Sequence, residues 1–202
     1  MTAALLLGVS AVVDRVAAHF AEKAIAVRLK SAVATKTEPS VTITGWPFLT
    51  QLVAHRLDEV DVTTEDFAAH GVTFARVDLE LYDAWRTSTT ITSARVVATV
   101  DLALAELQRL AGSQVTLSTA RDGLHVAGTA GGQKISGTAT ITVVAGKLHL
   151  VPHISSPAKA SLPAIDVAIP TLPWGVAVTG VAVTATGLKL QGTAHDVDLM
   201  KP

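Results

Sequence analysis

Apolar positions recur along residues 3–34 at helical spacing. Val13, Val16, Phe20, Ala24 and Val27 follow one another at three- and four-residue steps, which puts them on one face of a long helix. Asp14, Arg15, Glu22, Lys23, Arg28 and Lys30 fall mostly elsewhere on its circumference. Pro39 biases Glu38 toward extended backbone, so residues 35–39 end the helix. The period then changes from helical to alternating. Residues 40–44 alternate as a strand until Gly45-Trp46-Pro47-Phe48 breaks it and turns the chain. This break separates the helix from a long run of strands and concentrates aromatic bulk.

Strands are predicted over 57–63, 71–83 and 90–100. Two of them change phase. Leu57 lies out of step with Val60 and Val62, which predicts a bulge near Asp58-Glu59. Val72 and Phe74 lie out of step with Val77, Leu79 and Leu81, with the slip near Ala75-Arg76. Two slipped strands imply a strongly bent sheet. A second helix is predicted over 102–110, capped by Asp101, with Leu104, Leu107 and Leu110 on its apolar face and Gly112 at its end.

From residue 114 the chain meanders. Asp122-Gly123 and Gly131-Gly132 are hairpin signals, and Ala145-Gly146 marks another turn. Ile135, Ala139, Ile141 and Val143 alternate with Ser136, Thr138, Thr140 and Thr142, giving one apolar and one Thr-rich face. Five prolines between 152 and 174 argue against a central strand there. Residues 175–185 and 187–199 read as a final hairpin around Thr186-Gly187.

Composition narrows the function more than it names it. Of 202 residues, 49% are hydrophobic, only 4% aromatic and 16% charged, and mean hydropathy is +0.44. The core is therefore aliphatic. A net charge of −1 with no basic run argues against a nucleic-acid partner. With no cysteine, disulfides, thiolate catalysis and cysteine zinc sites are excluded. The apolar run at residues 3–13 is too short to span a bilayer. It has two readings: the first turns of a buried helix, or the remnant of an export signal or membrane anchor without its charged start.

Candidate chemistry is sparse. His149 and His153 have Pro152 between them, and in an extended chain they stand about 13 Å apart, too far to share an ion. His195-Asp196 are strand neighbours and point to opposite faces. Gly131-Gly132-Gln133-Lys134 reads as a hairpin turn, not a phosphate cradle. The acidic run Asp58, Glu59, Asp61, Glu65 and Asp66 reads as a solvated strand face. No catalytic residue, metal ligand or cofactor is assigned. A bent aliphatic sheet under an amphipathic helix suits a ligand without directional chemistry, such as an acyl chain.

Gly45-Trp46-Pro47-Phe48-Leu49-Thr50-Gln51, followed by Leu57-Asp58-Glu59-Val60-Asp61-Val62, resembles the signature of the LmeA-like phospholipid-binding proteins of actinobacteria. Ile169-Pro170-Thr171-Leu172-Pro173-Trp174-Gly175-Val176, with Gly187-Leu188, resembles the family's C-terminal motif, and Asp14-Arg15 with Ala17-Ala18 its upstream helix. The resemblance spans residues 12–199. It implies an α+β, TULIP-like fold: a long N-terminal helix packed on a highly curved antiparallel sheet that encloses an apolar tunnel, with a second short helix. On this reading the helix takes residues 1–34 and the sheet 35–202, with the second helix near 102–110, and together they form one lipid-binding domain.

The function expected is that of a lipid-binding or lipid-transfer module for phospholipid or another acyl lipid, without catalysis. It would act at a membrane surface, on the outer face of the cytoplasmic membrane. The expected lining is Phe20, Val27, Phe48, Leu52, Leu104, Leu107, Leu110 and Trp174. The alternative is a structural or scaffolding envelope protein with a filled core. The oligomeric state is left open.

Overall fold

The computed structural model describes residues 2–33, 37–69, 71–86, 91–121, 123–130, 133–154, 164–169 and 172–198. Helix α1 (Thr2–Val33) leads into β1 (Ser40–Thr44), a short helix α2 (Phe48–Val53), and the long strands β2 (Arg56–Ala69), β3 (Val72–Arg86) and β4 (Ile91–Ala103). Helix α3 (Leu104–Ala111) follows. Then come β5 (Val115–Ala120), β6 (Gly123–Ala130), β7 (Gln133–Val144), β8 (Lys147–Ile154) and β9 (Ile165–Ala168). A single 3-10 turn, Pro173–Gly175, precedes β10 (Ala177–Thr184) and β11 (Gly187–Asp198).

The strands form two antiparallel sheets. The first has six strands in the order β1-β2-β3-β4-β11-β10, and the second five, β5 to β9 in sequence order. The fold is thus α+β, with helices packed on antiparallel sheets. The two sheets are not closed on one another, and an enclosed tunnel is not seen. One aliphatic core runs from Ala18 and Ala26 of α1 through Val60, Leu81, Val96 and Leu190 of the first sheet to Leu124 and Leu148 of the second. Leu107 of α3 is wholly buried.

The phase slips expected in β2 and β3 occur, but not through a bulge. The β2–β3 register is unbroken from Arg56↔Trp85 to Ala69↔Val72; only the rungs at Asp58 and Asp66 drop out of the pairing. Asp83, opposite Asp58, and Asp66, opposite Ala75, adopt φ of 51° and 50°. A left-handed residue re-aims the side chains that follow without inserting one, and aspartate tolerates that conformation better than most residues. Both strands therefore change phase at the same rung.

Three other expectations are corrected. Asp101 does not cap α3. β4 runs on to Ala103, Asp101 pairs with Lys189 across the sheet, and the cap position is Ala103 without a side-chain bond. Gly112 does end the helix, with φ of 81°. Pro152 lies inside a strand, opposite Ala139 of β7. β9 pairs β8 only as far as Leu150, so at Pro152 no partner on that side needs a donor. Residues 155–163 of the proline-rich segment, and the Gly131-Gly132 turn, lie outside the described residues. Finally, α2 replaces what reads in the sequence as a plain turn.

Candidate functional site

The corner between α1 and α2 holds two of the three buried polar side chains among the described residues, Asp14 and Gln51. Asp14, 2% exposed, lies on α1 facing the start of α2. Its carboxylate accepts the Leu49 N–H at 2.8 Å and the Arg15 guanidinium at 3.0 Å. Burial works to raise this carboxyl, yet the backbone amides of Leu49 and Phe48 and the charge of Arg15 hold it below the usual aspartate value. Arg15 also donates to the Gly45 carbonyl at 2.9 Å. Gln51 joins the two strands that flank the corner. Its amide donates to the Thr44 carbonyl at 3.4 Å and accepts the Asp58 N–H at 2.9 Å. Gly45 has φ of 94°, and a Cβ there would lie 2.4 Å from Gln51 Nε2, so only glycine lets the clasp close.

The corner divides its two large aromatics. Phe48 is 1% exposed and belongs to the core, whereas Trp46 is 66% exposed. Leu49, Leu52 and Val53 of α2 are also exposed.

Helix α1 sits on the sheet by a side the hydrophobic pattern does not mark. Asp14, Ala18 and Ala26 are buried, with Ala17, Ala21, Ile25 and Leu29 packed around them. Glu22 turns the same way and accepts the Ile43 N–H of β1 at 2.9 Å. Val13, Val16, Phe20 and Val27 point the other way and are half or more exposed; Ala24 is exposed beside them. Phe20 and Val27, expected in the lining, therefore face solvent with the rest of their stripe. Small alanines allow close approach to the sheet, and the two carboxylates take up amides that bulky aliphatics would leave unpaired.

The expected lining residues fall into three places. Phe20, Val27 and Leu52 are at the surface of α1 and α2. Phe48 and Leu107 are buried in the core, against which Leu104, Leu110 and Trp174 pack partly buried. Trp174 occupies the 3-10 turn at φ of 60°. The structure does not bring all eight together around one space.

Helix α3 is bound to its surroundings by side chains. Gln108 donates to the Gly112 and Val115 carbonyls and accepts the Leu117 N–H. Glu106 accepts the Arg109 guanidinium and the Thr73 N–H, which together hold its carboxyl down at about 2. At the start of β11, a Cβ on Gly187 would lie 2.1 Å from the Leu102 carbonyl. The neighbouring Thr186 carbonyl accepts the first amide of α3 at 2.9 Å. These contacts lock β4, α3 and β11 together.

The outer faces of the sheets carry further titratable groups. Glu59, Asp61, Asp78 and Glu80 stand on the face of the first sheet turned away from α1, opposite in phase to Val60, Val62, Leu79 and Leu81. Burial, with repulsion from Glu59 and Glu80, raises the Asp61 carboxyl. On the second sheet His149 pairs with Asp166 at 2.6 Å and His153 with the Thr140 hydroxyl at 2.9 Å. Among the described residues no group of three or more histidines and carboxylates is placed to hold a metal ion. Nor, among them, is any helix long and apolar enough to cross a membrane.

The contacts made by Asp14, Glu22 and Gln51 are not legible in the sequence. Their only signal is position: Asp14 and Glu22 flank Ala18 at four-residue steps, on the stripe of small residues. A family model described as LmeA-like phospholipid-binding matches residues 12–193. No curated protein and no solved structure matches the chain.

Proposed function

Because the chain belongs to the LmeA-like phospholipid-binding family, we propose that it takes the acyl chains of a phospholipid, or of a related acyl lipid, into its aliphatic interior and carries the lipid at the cell envelope. The family match over residues 12–193 is the observation that carries this reading. The interior supports it. Among the described residues the buried polar side chains are Asp14, Gln51 and Ser93, each with hydrogen-bond partners, while half-buried Thr64 keeps a buried hydroxyl without one. The other buried side chains among the described residues are apolar, so the walls favour methylene groups without selecting among them. Each methylene transferred from water contributes about 0.8 kcal/mol, so a pair of acyl chains would be held firmly.

In the loaded protein the chains would lie between α1, α3 and the concave sheet faces, in a tunnel made as the open sheets draw around them. Phe48, Leu104, Leu107, Leu110 and Trp174 would meet them from inside. Phe20, Val27 and Leu52 would stand at the entrance. The place of action would be the outer face of the cytoplasmic membrane.

Mass spectrometry of an organic extract of the purified protein tests the reading, together with uptake of a fluorescent phospholipid. Co-extracted phospholipid and saturable uptake are expected. An empty extract with no uptake would overturn it. That outcome would favour the second reading, a structural envelope protein, to which the filled core around Phe48, Val96 and Leu107 gives support.

A further inference from the structure

We propose that the outward side of α1, together with the Trp46 corner, is the surface by which the protein docks on an anionic phospholipid bilayer. This rests on the lipid-binding reading above and adds to it the face that meets the membrane.

The first observation is the uncovered stripe itself. Val13, Val16, Phe20 and Val27 expose half or more of their surface along one side of a helix whose other side is packed. Isolated exposed aliphatics are ordinary, but a stripe running several turns of helix is not. Asp14 and Arg15 tie α2 and Gly45 to α1, so exposed Trp46 and Val53 stand beside the Asp14 turn of that helix. Tryptophan is the side chain best suited to the boundary between headgroups and acyl chains.

The second observation is the distribution of charge, and it selects the partner. Both acids of α1, Asp14 and Glu22, are turned inward onto backbone amides. The helix's exposed ionised side chains are Arg15, Lys23, Arg28 and Lys30, all basic. At helical spacing the lysines flank the apolar stripe on one side and Arg28 on the other. An apolar stripe between basic borders is the pattern of a helix that lies in the interface of an anionic membrane. The sheet face with Glu59, Asp61 and Glu80 is acid-rich, although Arg95 and Lys189 stand on it too, and it is turned away from α1. A neutral protein partner would give no reason for this separation of charge, and the molecule as a whole is near neutral, at −1.

Flotation with vesicles tests it, using pure phosphatidylcholine and phosphatidylcholine mixed with phosphatidylglycerol. The wild type is expected to float with the mixed vesicles, more weakly as salt rises, and to remain behind with pure phosphatidylcholine. The Phe20→Glu, Val27→Glu double variant alters only exposed positions and should bind at least about tenfold more weakly. Arg28→Glu should weaken binding about fivefold. Val144→Glu, an exposed apolar position on β7, should leave it unchanged.

Wild-type binding by the Phe20→Glu, Val27→Glu variant would overturn the proposal. So would a wild-type dimer in sedimentation that this variant dissolves, since the stripe would then cover a second copy. Phospholipid carried in the purified variant is measured in parallel. If it is retained while flotation is lost, docking is separate from loading, and the proposal stands. If loading is lost while flotation persists, the stripe is part of the ligand site and the proposal fails. A wild type that floats but never carries lipid would overturn the lipid-binding reading alone.

Discussion

The inner and outer sides of the α1–α2 assembly follow opposite rules. The inner side is small and acidic at its contacts, Asp14, Ala18, Glu22 and Ala26, with Ile25 and Leu29 beside them and Phe48 as a fully buried plug. The outer side is large, apolar and basic, with Val13, Phe20, Val27 and Trp46 among exposed lysines and arginines. The difference teaches that hydrophobicity alone does not decide which side of a helix meets its own sheet. Close approach and hydrogen-bond satisfaction decide it here. The more hydrophobic side is left over, and it needs a different partner.

The contrast can be broken from either side. Phe48→Ala removes a fully buried ring and should cost about 3–5 kcal/mol in chemical denaturation. Ala18→Leu forces three heavy atoms into the helix–sheet contact and should cost about 1–3 kcal/mol. The same change at Ala24, on the outer side, should stay within about 0.5 kcal/mol. If both alanine changes behaved alike, the two sides would not be distinct.

Asp14→Asn should lower the melting temperature at neutral pH. The folded Asp14 carboxyl is held below its ordinary value, so its stabilisation is complete above the unfolded pKa and is lost as pH falls through the folded one. The gap between wild type and variant should therefore close in acid. Glu106, held at about 2, loses its contribution in the same direction as pH falls from 4.5 toward that value. Thermal melts from pH 7 to pH 2 would check both. The smallest stability effect is expected for Trp46→Ala, within about 0.5 kcal/mol, with its loss seen in vesicle flotation instead. A large loss of stability there would merge the two sides of the corner.

Much of the fold is legible in the sequence because period is a local property. Helix α1, the slipped strands, and the β5–β6 and β7–β8 hairpins follow from spacing and turn chemistry. Direction is not local. The Val13–Phe20–Val27 stripe has the right period, yet nothing in the chain says whether the sheet or the solvent lies beneath it. The phase slip at Asp58 is likewise visible, whereas its cause, a left-handed Asp83 on the facing strand, is not. Helix α2 goes unseen because it has six residues, starts after Pro47 and carries no side-chain cap. At the candidate site, the motif from Gly45 to Gln51 marks the right corner. Its work there is mostly structural: the Gly45 carbonyl and the Leu49 amide hold α1, Gln51 braces β1 against β2, and Trp46 faces outward with Leu49.

Glu22 has one more consequence. β1 is the edge strand of its sheet, and the Ile43 amide that Glu22 receives belongs to that open edge. An uncovered edge of Val41 and Ile43 is a template for a stray strand from another chain, and proteins guard such edges with charge or with a covering element. Here α1 supplies both. Peeling α1 off the sheet to reach lipid would expose that edge at a crowded membrane, where self-association between copies competes. The helix that meets the bilayer is therefore one that keeps its place over β1, and the sheet travels with it.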